Sequence, residues 1–219
     1  MNIFLGFVNI IVIFTLVVLI EKFFKKEGLY AWLCIATILA NLTVCKTIDI
    51  FNYTTALGNV LFASIFLATD IMSEKYSKKE AKKGIYLSVF SAITFIIVTQ
   101  IALLFQPSNS DIVNESMKNL FNISLRTTIA SILMFFLSNM FDIYLYNKLK
   151  DKIPNKMWLR NNVSTILSNC LENFMFTFLA FVGIFSLPVI LSIACVASVI
   201  EIIIAICDTP FLYISKKLR

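Results

Sequence analysis

With 59% hydrophobic and 15% charged residues among 219, the chain lies outside the range of soluble domains, which carry about 25% charged residues. The absence of histidine removes histidine acid–base catalysis, the H-E-x-x-H zinc motif and histidine proton relays. Neither a G-x-S-x-G elbow nor a phosphate-binding glycine loop occurs, so the common hydrolase and nucleotide signatures are missing as well.

The apolar residues fall into seven runs, at 3–20, 29–47, 55–72, 85–106, 123–146, 162–185 and 187–211. Ile3 to Ile20 and Ile85 to Phe105 contain no charge over 18 and 21 residues, and a bilayer core needs about 20 as a helix. Met1 and Asn2 supply no positive n-region, and no small-residue cleavage site precedes Glu21. The first run is therefore expected to be a retained helix rather than a signal peptide. The third run is short and opens on Gly58-Asn59 after a mixed stretch, so it reads as a broken or re-entrant segment or as a short tilted helix. Pro107 to Ser110 mark the one long polar loop, at 107–122. No stretch is long enough for a separate soluble domain, and residues 1–219 read as a single all-α transmembrane bundle.

Sixteen of the 19 basic residues follow runs 1, 3, 5 and 7, leaving Lys46, Lys118 and Arg126 for the alternate side. The positive-inside rule makes the crowded side cytoplasmic. The N-terminus is then outside and the C-terminus cytoplasmic, and the +6 net charge calls for no nucleic-acid partner. Runs 3, 5 and 7 each end in an aspartate, a tyrosine and lysines: Asp70 with Tyr76, Asp142 with Tyr146, Asp208 with Tyr213. Interfacial belts explain the tyrosines and lysines. They explain the aspartates less well, and a shared role stays open. The five cysteines sit in or beside apolar runs at spacings that suit neither zinc nor redox chemistry.

The densest polar signal lies in run 6. Asn161, Asn162, Ser164, Thr165, Ser168, Asn169, Glu172 and Asn173 recur every three or four residues, which places them on one helical stripe. Glu172 stands 12 residues beyond Arg160, about 18 Å at ~1.5 Å per residue, near the bilayer midplane. A carboxylate there costs several kcal/mol unless it meets a partner or water. Hydrogen bonds gluing helices together would account for one or two such residues. Eight, with a glutamate at mid-membrane among the last of them, favour a solvated cavity. Thinner stripes run through Thr127, Ser131, Ser138 and Asp142, and through Ser198, Glu201 and Asp208, while Asn41 and Gln100 add single amides. Arg126 and Lys46 balance carboxylates or snorkel.

Several of these residues carry a family resemblance. Ala40-Asn41-Leu-Thr-Val-Cys-Lys46, Phe66-Leu-Ala-Thr-Asp70-Ile-Met-Ser-Glu74-Lys-Tyr76, Met157-Trp158-Leu-Arg160-Asn-Asn-Val-Ser164-Thr165 running on to Glu172, and Asp208-Thr209-Pro210 with Tyr213 resemble the queuosine-precursor, or vitamin uptake, transporter family. Ser138 with Asp142 matches a further pair. The resemblance covers about residues 30 to 215. It departs at Glu172-Asn173, where an aspartate–threonine pair is usual, and at Ser77 and Lys82.

The resemblance implies a bacterial inner-membrane transporter, not an enzyme, importing a 7-deazaguanine base: queuine or its cyano or aminomethyl precursor. Glu172, Asn169, Asn173, Asn41, Ser138, Asp142 and Asp70 are the expected substrate-binding residues. Arg126, Glu74, Arg160, Glu201 and Asp208 are the expected gating or charge-balancing ones. No cofactor or metal is expected. The expected partners are the small-molecule base and the lipid bilayer, with a homo-oligomer allowed. The alternative is a substrate-capture subunit served by a separate ATP-driven module; a membrane enzyme ranks behind it.

Overall fold

The computed structural model describes residues 1–50, 53–121 and 125–218, with the side chains at 47, 50, 53–56, 125 and 126 outside that description. The described residues are almost entirely helical: α1 (Asn2–Thr43), α2 (Asn59–Lys75), α3 (Lys78–Leu104), α4 (Asn114–Phe121), α5 (Leu125–Lys152), α6 (Met157–Phe181) and α7 (Leu187–Lys217). The all-α expectation holds. Four of them, α1, α3, α5 and α7, are long and apolar enough to cross a membrane. Phe4, Phe90, Val98, Val199 and Ile203 stand exposed on their outer faces, as lipid-facing side chains would.

α1 is two runs in one element. Its backbone leaves helical geometry at Lys25, at φ 54° and ψ −138°, and the arms 2–24 and 26–43 fold back on each other. The Asn2 amide consequently donates to the Asp49 carbonyl, 47 residues later, at 3.1 Å. Gly28 permits the reversal, because a Cβ there would lie 2.5 Å from the Ile20 carbonyl oxygen. A short antiparallel hairpin follows, β1 (Thr47–Ile50) with β2 (Tyr53–Ala56), Thr47 opposite Ala56. This corrects one expectation, since residues 55–56 belong to a strand rather than to the third apolar run. Of the two readings of that run, the short helix holds: it is one unbroken helix of 17 residues, neither broken nor re-entrant. The 107–122 loop likewise contains α4, an amphipathic helix with no buried residue.

Sequence signals set the other boundaries. Ser77 caps α3 by accepting from the Glu80 N–H at 3.2 Å. α6 ends beside Gly183, whose φ of 83° suits only glycine well. Pro188 stands in the first turn of α7, where its missing N–H costs nothing.

α2 is the axis of the bundle. α1, α3, α5 and α7 all pack on it, and 13 of its 17 residues are buried. Leu29 and Leu33 of α1 meet Ile65, Leu67, Ile71 and Met72 of α2 in the core, and the Trp32 indole N–H donates to the Ser64 hydroxyl at 3.1 Å. α5, α6 and α7 complete the assembly, with α6 packed between the other two.

Candidate functional site

The helix ends farthest from the lysines do not close on one another. They surround a cavity of about 700 Å³ formed by α1, α2, α3, α5, α6 and α7. The face of α6 that lines it carries Asn169, Glu172, Asn173, Phe176 and Thr177, spaced three, four, seven and eight residues from the first, as one helical face requires. Asn41 comes from the end of α1, Phe62 and Phe66 from α2, Thr127 and Ser131 from α5, and Glu201 from α7. An apolar wall with a few convergent polar groups is the usual makeup of a small-molecule site.

Each of its two carboxylates is held by one oxygen. The Ser138 hydroxyl donates to Glu172 Oε2 at 2.5 Å, and the Asn173 amide donates to Glu201 Oε2 at 2.6 Å. The second oxygen of each accepts from no described residue. The Asn41 amide donates one N–H to the Thr37 carbonyl at 2.7 Å, so it can still offer its second N–H and its carbonyl oxygen.

Toward the lysine-bearing end the helices close. There Asp70, Asp142 and Asp208, from α2, α5 and α7, converge and are fully buried. The Asn161 amide donates to Asp208 at 2.6 Å and the Thr165 hydroxyl to Asp142 at 3.4 Å. The Asn162 amide donates to the Thr209 hydroxyl at 2.8 Å.

Beyond the aspartates stands Glu74, outside the apolar run. It accepts from the Arg160 guanidinium at 2.5 Å, from the Lys216 ammonium at 2.7 Å and from the Tyr146 hydroxyl at 3.2 Å. The Lys150 ammonium lies 3.5 Å away. Burial works against its charge, but the hydrogen bonds from Lys216 and Arg160 and the charge of Lys150 outweigh it and hold the carboxyl at about 2. Arg160 also lies over the Tyr146 ring at 5.5 Å. A second knot at the same end centres on buried Glu21, which pairs with Lys75 at 2.7 Å and accepts from Tyr76 at 2.9 Å and from Ser215 at 3.3 Å.

The twelve residues singled out from the sequence thus separate into three places. Glu172, Asn169, Asn173, Asn41 and Glu201 meet in the cavity, with Ser138 holding Glu172 from behind. Asp70, Asp142 and Asp208 meet beneath it, outside the lining. Glu74 and Arg160 form the charged plug below them. The Arg126 side chain lies outside the described residues. The stripe on α6 divides accordingly: only its last three members reach the cavity, and Asn161, Asn162 and Thr165 bond α5 and α7. Helix-to-helix bonding, the weaker reading from sequence, is correct for that half, because α5 and α7 come within hydrogen-bonding reach there.

Glu21 was not anticipated, since its partners lie more than 50 residues away in α2 and α7. Nor was a place in the cavity wall for Phe62, Phe66 and Phe176, since no spacing marks them out as a set among 21 phenylalanines. Among the described residues no group of three acidic or cysteine side chains has the arrangement of a metal site.

Comparison with known proteins gives a consistent result. Residues 56–215 match the family model described as "Putative vitamin uptake transporter". Over 210 residues, 95% of this chain and 92% of the other, the sequence is 37% identical to a Bacillus subtilis (strain 168) protein named "Probable queuosine precursor transporter". No solved structure matches.

Proposed function

Because the chain belongs to the vitamin uptake transporter family, we propose that it imports a 7-deazaguanine precursor of queuosine, taken into the cavity from outside the cell. It is a transporter rather than an enzyme, and a multi-pass protein of a bacterial inner membrane. The proposed topology has seven spans, the two arms of α1 supplying the first two and α2, α3, α5, α6 and α7 the rest. The N-terminus is outside and the C-terminus cytoplasmic, on the strength of the 16 basic residues gathered at one end.

The observation that carries the substrate reading is Glu172, which lines the cavity with one oxygen held by Ser138. A guanine-like ring presents adjacent N–H donors that a carboxylate accepts. Phe62, Phe66 and Phe176 provide flat apolar surface for the ring, and Asn169 and Asn173 add amide groups. Asn41 can accept through its carbonyl oxygen. Glu201 suits the cationic amine that queuine and the aminomethyl base carry and the cyano base lacks. The Glu74 plug keeps the cytoplasmic end shut in this conformation. Asp70, Asp142 and Asp208 sit where a bound base would have to pass next.

The test is uptake of labelled queuine and its two precursors by cells unable to make queuosine, with tRNA modification as readout. Wild-type protein should restore the modification and Glu172→Gln should not. If no base is taken up by cells that carry the protein in their membrane, the substrate assignment is wrong.

A further inference from the structure

The three aspartates beneath the cavity are short of donors. Both oxygens of Asp70, Oδ2 of Asp142 and Oδ2 of Asp208 are buried without a hydrogen-bond partner. So is the carbonyl oxygen of Asn161, a residue with no exposure whose amide reaches into the group to meet Asp208. Five acceptor atoms from four helices are thus gathered with nothing to donate to them. Asp70 and Asp142 lie near enough to repel one another, with Asp208 adding to that repulsion, and like charges gathered away from water are not all retained.

The titratable and charged groups facing Asp70 are Asp142 and Tyr146 of α5, Arg160 of α6 and Asp208 of α7. The single cation among them, Arg160, is paired with Glu74 through a terminal nitrogen, and its buried Nε–H bonds to none of the five acceptors. A metal ion would answer the shortage only with a suitable set of ligands, and the described residues form none. A proton answers it directly, because a carboxylic acid supplies the O–H donor that its neighbour lacks.

We infer that Asp70, Asp142 and Asp208 form a proton-binding site that couples proton entry to substrate transport. The coupling part rests on the transporter assignment above. A proton arriving through the cavity adds to one carboxylate of the Asp70–Asp142 pair, forming an O–H bonded to the other. Its release to the cytoplasm restores the carboxylate. The path from the substrate cavity is short: Ser138, bonded to Glu172, is one turn from Asp142 on α5, and Thr165, bonded to Asp142, is two turns from Glu172 on α6. Loading the pair removes charge from the interface of α2, α5 and α7, the helices that would separate for the cytoplasmic end to open.

Two measurements test this. Infrared difference spectra of the purified protein in lipid, taken between acidic and alkaline buffer, should show a protonated-carboxyl band. Asp70→Asn and Asp142→Asn should each remove intensity from it. A wild-type spectrum without a pH-dependent acid band, or variants with the full band, would overturn the site. This arm needs no transported substrate, and its wild-type half stands even where a variant fails to fold. In proteoliposomes, an inward proton gradient should drive labelled queuine to about tenfold accumulation per tenfold gradient if one proton accompanies one base. Asp70→Asn should lose the accumulation while still equilibrating queuine. Uptake driven by a sodium gradient, or indifferent to the proton gradient, would overturn the coupling. Wild-type liposomes that take up no base at all would count against the substrate, with the infrared result still deciding the site.

Discussion

From Asn161 to Thr165, α6 directs amides and hydroxyls at Asp208, Thr209 and Asp142 on its neighbours; from Asn169 to Thr177, the same face of the same helix borders a cavity. Residue chemistry is alike in both stretches, so chemistry alone does not separate them. The difference lies opposite α6. Toward the lysines α5 and α7 present aspartates that draw the helices together. At the far end they present Ser131, Ser192 and Val196 to the cavity, and the faces stand apart. Helices joined at one end and parted at the other form a cavity with a mouth and a floor, and exchanging which end is joined would carry a ligand across.

The sharpest way to break this comparison is Glu172→Gln, which keeps the shape of the cavity but exchanges an acceptor oxygen for a donor. Losing a hydrogen bond to a charged group weakens binding by about 1.5–3 kcal/mol, or roughly tenfold to a hundredfold. At equal membrane abundance Glu172→Asp should retain part of the activity. Unchanged affinity for the base in the glutamine variant would make the carboxylate structural.

Glu74→Gln attacks the floor. It should lower thermal stability by about 1.5–3 kcal/mol and raise cysteine-reagent or protease access at the lysine-bearing end. The carboxyl sits below its ordinary value, so its stabilising contribution is complete above the usual carboxylate range and is lost only as pH falls toward about 2. Melting curves of wild type and Glu74→Gln should therefore keep a constant separation from neutral to mildly acidic pH. A separation that shrinks in that window would show the plug to be weaker than its geometry.

Smaller effects sharpen the border between the halves. Asn169→Ala should cost about 0.5–1.5 kcal/mol of binding, up to about tenfold in Kd by direct titration. Thr165→Ala, on the floor side, should leave Kd for the base unchanged; an equal loss in both would erase the division. Reporter fusions after Lys26, Lys83 and Lys156 should read cytoplasm, and one near Asn114 the exterior. A cytoplasmic reading at Asn114 would invert the mouth and the floor.

Much of this was legible in the sequence because it depends on local pattern. Apolar runs and alternating lysines gave the segments, and a period near 3.6 gave the polar stripe on α6. What stands opposite a stripe is not local. Glu201 was read as a charge-balancing residue, yet it shares the cavity with Glu172 because α7 packs against α6 in a particular register. The reversal between the runs at 3–20 and 29–47 was legible too, but not that it turns at Lys25, whose backbone lies in a region that lysine seldom occupies. Ser138 and Asp142 looked like equivalent members of one α5 face; four residues of rise put one behind the cavity and the other beneath it.

The enclosure of α2 has a consequence for how the protein is made. Entry of a helix into lipid is opposed by about 2.5–3.5 kcal/mol for an aspartate at its centre, and α2 carries Asp70 on only 17 residues. In the membrane its shelter comes from α5 and α7, which the ribosome delivers later. Insertion of α2 is thus completed by helices that do not yet exist when it emerges, and until then it has only α1 and α3 to lean on. A chain truncated before α5 would leave that aspartate facing lipid, and its α2 should fail to stay integrated.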